Sequence, residues 1–362
     1  MDIINDRQAL HAIPELELTL PKTAAYLKNS LEKLRCTLTY PMGDAICAFF
    51  DFGKNDAIAF RADMDALPIP EETGLPFASQ HPGKMHACGH DGHMATLLEL
   101  ARRLDQKEDL PHNVLLIFQP GEESPGGAKI ICDTGILEKY NVKAVFGLHL
   151  WPGLEAGRVF TRENELMSHA SEVTIDVYGK SAHLAKAECG IDALAAAVEL
   201  YSRVRQTEQA LPKEIYRLMN FGLLQSGTVR NAVSRHTHME GSLRAFQDET
   251  FDGLKNSLYA IAADVEKKYG CSVNIHMSEG YPAVMNPPAL CGRLAEILDF
   301  GCLEEPTMTA EDFAWYQKFV PGVFFFLGLG DVPALHTDTF HFDEGILEKG
   351  ADFFEKLAEE YR

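Results

Sequence analysis

A chain of 362 residues is long enough for about two domains at the usual ~150 residues each. Hydrophobic residues make up 46% and charged residues 24%, an ordinary globular composition that excludes a disordered tail, a collagen-like fibre and a coiled coil. Asp plus Glu total 53 against 33 Lys plus Arg, a formal charge of -20. That is the wrong sign for a nucleic-acid binder, which neutralises phosphates, or for adhesion to an acidic membrane.

MDIINDRQAL lacks a basic start followed by an apolar run, so no signal peptide is expected. From Pro21 to Leu34, Ala24, Leu27, Leu31 and Leu34 share one helical face. Two apolar runs follow, AICAFFDF and AIAFRA, split by Lys54-Asn55-Asp56 in a hairpin pattern. A turn-rich stretch leads to HMATLLELARRL, which has helical spacing. NVLLIFQP and AVFGLHL are continuous apolar runs, as expected of strands buried on both faces, and Gly126 to Leu137 reads as a short helix between them. Alternating strands and helices predict an α/β layered domain.

The character changes near Ser168. SEVTIDVYG, ALAAAVELYSRV, YRLMNFGLLQSG, HTHMEGSLRAF, FDGLKNSLYAIAADVEKKYG and CSVNIHMSEG run strand-helix-strand-strand-helix-strand, the split βαβ, ferredoxin-like pattern. The expected fold class is therefore α/β with two domains. A larger α/β domain spans 1–167 and 281–362, and a smaller α+β domain is inserted at 168–280. After Pro282 come a helix, the strand VFFFLGLG and a closing helix from Glu344. No run reaches the ~18 apolar residues of a membrane span. The eight cysteines show no framework spacing and read as reduced thiols, which points to a cytoplasmic protein.

The densest set of ligand-type side chains is Met85-His86-Ala87-Cys88-Gly89-His90-Asp91-Gly92-His93. Thiolate and imidazole suit zinc and similar divalent metals, and Cys88 and His90 can face one centre from an irregular loop. Gln119-Pro120-Gly121-Glu122-Glu123 follows a buried strand, where α/β sheets place active sites. Adjacent side chains diverge, so one carboxylate can bind metal while the other faces substrate. His149 closes AVFGLHL, and His336 follows VFFFLGLG. Cys88, His90, Glu123, His149 and His336 together can hold two metals, leaving Glu122 as a general base.

These motifs resemble the M20 metallopeptidase family, in its amidohydrolase branch of N-acyl-amino-acid hydrolases, hippurate hydrolases and N-acetyldiaminopimelate deacetylases. The resemblance spans essentially the whole chain, from HAIPE through RADMDALP, MHACGHDGH, QPGEE, GLHLWP, GKSAH, TAEDF and ALH. It implies a catalytic metal-binding domain and an inserted lid or dimerisation domain. It implies two divalent ions, of zinc, manganese, cobalt or nickel, on Cys88, His90, Glu123, His149 and His336, with Cys88 shared between them. Glu122 is the implied general base and His183 the oxyanion-stabilising histidine, while Asn231 and Arg244 hold the substrate carboxylate. Related branches carry His-x-Asp where this chain has Arg61-Ala62-Asp63, so Cys88 is implied to compensate, with Asp63, Asp91 and His93 orienting ligands from behind.

The implied substrate is a small N-acyl amino acid, N-acetyl above all, or a short peptide. Neither nucleic acid nor membrane is expected as a partner, and a homodimer through the inserted domain is. The rivals are a dipeptidase or carboxypeptidase of the same fold, a catalytically silent binding protein, and a hydrolase using Cys88 as a thiol nucleophile.

Overall fold

The computed structural model describes residues 2–362 and divides the chain into two compact units. The first comprises residues up to 166, 284–306 and 312–362; the second comprises 167–283 and 307–311. Residues 167, 281–283 and 307–311, placed in the larger domain on sequence grounds, thus pack with the second unit.

The first unit opens with helices α1 (Ile3–His11) and α2 (Pro21–Leu31), then strands β1 (Thr37–Thr39), β2 (Ile46–Phe50) and β3 (Ala57–Asp63). Helix α3 (His90–Asp105) leads to β4 (Asn113–Gln119), the short helices α4 (Gly127–Asp133) and α5 (Ile136–Lys139), and strands β5 (Val142–Trp151), β6 (Val159–Thr161) and β7 (Asn164–Met167). The second unit contributes β8 (His169–Tyr178), α6 (Ala193–Ala210), β9 (Arg217–Ser226), β10 (His236–Ala245), α7 (Asp248–Tyr269) and β11 (Ser272–Met277). The first unit then resumes with β12 (Val284–Asn286), α8 (Pro288–Ile297), β13 (Gly301–Cys302), α9 (Ala314–Gln317), β14 (Gly322–Gly328) and α10 (Leu347–Glu360).

Among the described residues, the large sheet has the order β1-β2-β4-β3-β5-β14-β6-β13. Its centre, β4-β3-β5-β14, is parallel. Every residue of β3, β4 and β14 is buried, which is why these strands read as unbroken apolar runs. The expected hairpin does not form. β4 lies between β2 and β3, antiparallel to the first and parallel to the second. A strand apolar on both faces belongs at the sheet centre, and that non-local preference overrides the local turn signal at Lys54-Asn55-Asp56.

Helix α3 packs close to β5. A Cβ on Gly92 would sit 2.7 Å from Leu150 Cδ1, so any larger residue there forces the Leu150 side chain to move. Gly89, just before the helix, holds a left-handed φ of 85°, turning the chain sharply into His90. Asp91 lies in the first turn and Arg102 and Arg103 in the last, each matched to the helix dipole.

In the second unit the sheet order is β11-β8-β10-β9, antiparallel throughout, with α6 and α7 covering one face. This is the ferredoxin-like βαββαβ arrangement. Val173, Ile175, Val177, Met239 and Leu243 of the sheet pack against Leu200, Leu254 and Leu258 of the helices. No helix among the described residues is long and apolar enough to cross a membrane.

Candidate metal centre

The central parallel strands all end at one edge of the first unit, the edge where α/β sheets hold ligands. Asp63 ends β3 and Asp65 follows it, Gln119 ends β4 and leads to Glu122 and Glu123, and His149 lies near the end of β5. His336 comes from the loop after β14. Its backbone N–H donates to Ala87 O at 2.8 Å, and its φ of 61° is left-handed. The Cys88 loop and the His336 loop are thereby joined through the backbone.

Hydrogen-bond partners fix the role of each imidazole. His90 Nδ1 lies 2.7 Å from Asp65 O and His149 Nδ1 lies 2.7 Å from Leu150 O. A carbonyl only accepts, so each Nδ1 carries the proton and each Nε2 keeps a bare lone pair. His90 Nε2 is buried without a hydrogen-bond partner. His93 is arranged the other way. Its Nδ1 meets Asp63 Oδ1 at 2.6 Å, and its Nε2 accepts the Leu150 N–H at 2.9 Å. Both its nitrogens are occupied, so His93 has no lone pair to offer a cation.

The remaining donors converge. His149 Nε2 is 3.4 Å from Cys88 Sγ, and His336 Nε2 is 3.2 Å from the same sulfur and 3.2 Å from Glu123 Oε1. His90 Nε2 is 3.9 Å from Glu122 Oε2. Two donor groups share Cys88, Cys88-His90-His149 and Cys88-Glu123-His336, each with its atoms within 4.8 Å of one another, and His90, Glu122 and Glu123 meet the same distance. Another grouping, Asp63-His90-His93, satisfies it too but fails chemically, because both His93 nitrogens are already used.

Charge and burial fit a divalent cation. Burial pushes the Cys88 thiol well above its ordinary value, and the carboxylates of Glu123, Glu122 and Asp63 push it further. Burial keeps His149 and His90 neutral, the state in which imidazole ligates. Burial alone would raise Glu123, but the bond to His336 and the charge of His90 hold it low. The orphaned His90 Nε2, the sulfur and the carboxylate form a donor set of the mixed S/N/O kind that zinc, manganese, cobalt and nickel accept.

Asp65 had no assigned role from sequence. Its two oxygens accept the N–H groups of Glu122 and Glu123 at 2.8 and 3.0 Å, and its carbonyl holds His90. It therefore fixes both carboxylate-bearing residues and one imidazole at once. The only available hint was its spacing, two residues beyond Asp63 in RADMDA. Asp91 is fully buried against Arg7 Nε and His11 Nδ1, both at 2.8 Å, and ties α1 to α3 rather than touching a donor of the cluster.

The other anticipated residues belong to the second unit. His183 and Asn231 come together there. His183 bridges Ala232, and Leu184 N–H donates to Asn231 O at 3.0 Å. Arg244 on β10 is half-buried, donates to Ser242 Oγ and Met308 O, and pairs with no carboxylate among the described residues.

Fold and donor set together define a two-unit α/β protein with a cation-ready cluster at the carboxyl ends of parallel strands, buried at Cys88, His90 and His149 and open to solvent at His336. The profile of peptidase family M20/M25/M40 matches residues 59–360, and the chain belongs to that family. It is 33% identical over 375 residues to an uncharacterised hydrolase of Staphylococcus aureus, covering 99% of this chain and 98% of that one. It is 34% identical over 371 residues to one of Staphylococcus epidermidis, covering 98% and 97%. Among solved structures, the YXEP protein of Bacillus subtilis, described as a dinuclear metal binding peptidase from the M20 family, matches with a TM-score of 0.85 at 31% identity, covering 98% of this chain and 96% of that one. A staphylococcal aminohydrolase structure matches with a TM-score of 0.91 at 29% identity, covering 98% and 95%. The protein is accordingly a metal-dependent hydrolase of the M20 family.

Proposed function

We propose that the protein hydrolyses the amide bond of N-acyl amino acids, N-acetyl ones above all. The observation that carries this reading is the pair of donor groups sharing Cys88, with Glu122 beside them. Cys88, His90, Glu123, His149 and His336 would hold two divalent ions. Ions bound there supply Lewis-acid polarisation of the scissile carbonyl and lower the proton affinity of water.

The chain's own groups do the rest. Glu122, 6% exposed and fixed by its backbone bond to Asp65, takes a proton from the water that attacks the carbonyl carbon. As the C–N bond breaks, Glu122 returns that proton to the departing nitrogen. The products are a carboxylic acid and a free amine. His183 is assigned to the developing oxyanion, and Asn231 and Arg244 to the substrate carboxylate. An arginine fork without a carboxylate partner suits that task.

We assign the second unit as a lid and dimerisation element, which light scattering on the full chain tests. All eight cysteines are free, which supports a reducing, cytoplasmic setting. Because YXEP is described as a peptidase, short peptides are the competing substrates. The deciding experiment supplies N-acetyl amino acids and dipeptides in parallel to the chain loaded with each divalent metal and reads released amine. Faster turnover of acetylated substrates is expected. Cleavage of dipeptides alone overturns the acyl assignment, and no cleavage of either overturns the hydrolytic one.

A further inference from the structure

Strand β3 carries Arg61 and Asp63 two residues apart, hence on the same side of the sheet. They are 2% and 1% exposed. Arg61 Nη1 donates to Asp63 Oδ2 at 2.7 Å, Nη2 to Asp312 Oδ1 at 2.7 Å, and Nε to Gln119 Oε1 at 2.9 Å. Asp312 is held in turn by Gln119 Nε2, which donates to both its oxygens, and by Ala128 N–H at 2.9 Å. A guanidinium thus bridges two buried carboxylates directly behind the donor cluster. Buried ion groups of this kind contribute little net stability compared with packed apolar residues. What this one fixes is geometry.

Asp63 stands at a branch point. Its Oδ2 is 3.7 Å from the unpartnered His90 Nε2, close enough to compete for a cation, but that oxygen is already engaged by Arg61. Its Oδ1 accepts from His93 Nδ1, His93 Nε2 accepts the Leu150 N–H, and Leu150 O receives His149 Nδ1. An unbroken chain of short bonds therefore runs from Asp312 through Arg61, Asp63 and His93 to the strand end that presents His149.

We propose that Arg61 is a positioning residue of the hydrolytic centre. By occupying Asp63 Oδ2 it withholds that carboxylate from the metal ions and commits it to orienting His93, and through Leu150 the ligand His149. The inference rests on the two-ion reading above. Lysine cannot replace Arg61 here, because a single ammonium lacks the planar fork that grips two carboxylates and an amide together.

The test uses the full chain, freed of metal with chelator and titrated with cobalt(II). Equilibrium dialysis gives the number of ions bound and their affinity. The thiolate-to-cobalt charge-transfer band reports Cys88, and circular dichroism checks the fold. Wild type, D63N and H93Q are expected to bind the same number of ions with the thiolate band intact. D63N, H93Q and R61K are each expected to bind roughly 10- to 100-fold more weakly than wild type, the usual cost of removing a group that orients a ligand. Loss of an ion in D63N or H93Q makes that residue a ligand and overturns the inference. An R61K chain that binds as tightly as wild type overturns it too. Those results leave the two-ion reading standing, whereas a wild-type chain that takes up no cobalt overturns both. Should R61K prevent folding, R61Q, which keeps a donor to Asp63 without the charge, takes its place with the same expected and overturning results; should D63N or H93Q fail, the other still decides whether the chain behind His149 orients or ligates.

Discussion

Glu122 carries the heaviest chemical demand in the proposed reaction, because one carboxylate must accept a proton from water and deliver it to nitrogen. Glu122→Gln keeps the size and the backbone bond to Asp65 but cannot accept that proton. It is expected to lower kcat by roughly a hundred- to ten-thousand-fold, the usual worth of general acid–base catalysis, with metal content unchanged. Steady-state kinetics beside metal analysis of the purified variant checks this, and unchanged turnover contradicts the role. Cys88, His90 and Glu123 were legible in the sequence because they lie in motifs dense in ligand side chains, whereas His149 and His336, each single in its run, gained weight only from the order of the motifs. Asp65 and the bridging role of Arg61 were not legible, and the separation of His90 as ligand from His93 as an orienting residue came only from the family resemblance. Whether a histidine ligates or orients depends on what its second nitrogen meets. Here the deciding partners are backbone groups, Asp65 O and Leu150 N–H, that no side-chain pattern encodes.

At the scale of elements, the contact between α3 and β5 sets where His90 and His93 stand relative to His149. Gly92→Ala would place a methyl 2.7 Å from Leu150 Cδ1 and 3.1 Å from Leu347 and Phe342 side-chain atoms. Overpacking there is expected to cost roughly 1–3 kcal/mol, read from denaturant unfolding. A variant as stable as wild type would show that the helix is free to shift. A second element-level prediction concerns β8 and β10, where Asp176 Oδ1 meets His236 Nε2 at 2.7 Å and His238 Nδ1 at 2.9 Å, and His238 Nε2 meets Glu240 at 2.9 Å. The bond to Glu240, then that to Asp176, raises His238 above its ordinary 6.5. Burial works to raise Asp176, but the two histidines hold it below its ordinary 3.8. The His238 contribution is therefore full below 6.5 and is lost as pH rises through the raised value. The Asp176 contribution is present above 3.8 and is lost as pH falls through the lowered one. The fall in unfolding midpoint between about pH 5.5 and about pH 8 should be smaller in His238→Gln than in wild type. Identical profiles would remove the cluster from the stability of this sheet.

The elements the sequence missed or misreported have separate physical causes. Helix α1 was not anticipated because its buried face carries Asp6, Arg7 and His11 as well as Ile3 and Leu10, so apolar periodicity is weak there. Its N-cap, Asp2 accepting the Asn5 N–H at 2.9 Å, was the available signal. The false hairpin arose because pairing between strands is decided by burial across the whole sheet, not by the turn joining two neighbours. The ferredoxin-like unit, by contrast, was legible because each of its strands alternates over one buried face and each helix has one apolar stripe.

For the whole molecule, a formal charge of -20 creates a field that attracts divalent cations and repels anionic substrates. Added salt screens that repulsion. The apparent kcat/KM for anionic N-acetyl amino acids should therefore rise with ionic strength at saturating metal, while that for their uncharged amides stays flat. A fall for the acids would show that local cations such as Arg244 outweigh the global field. The most direct test of the site itself is anomalous diffraction from crystals of the metal-loaded chain, recorded at the absorption edge of the bound ion. Two peaks are expected beside Cys88 Sγ, one within bonding reach of His90 and His149 and the other of Glu123 and His336. Peaks ligated by Asp63 or His93, or none near Cys88, would contradict the assigned centre.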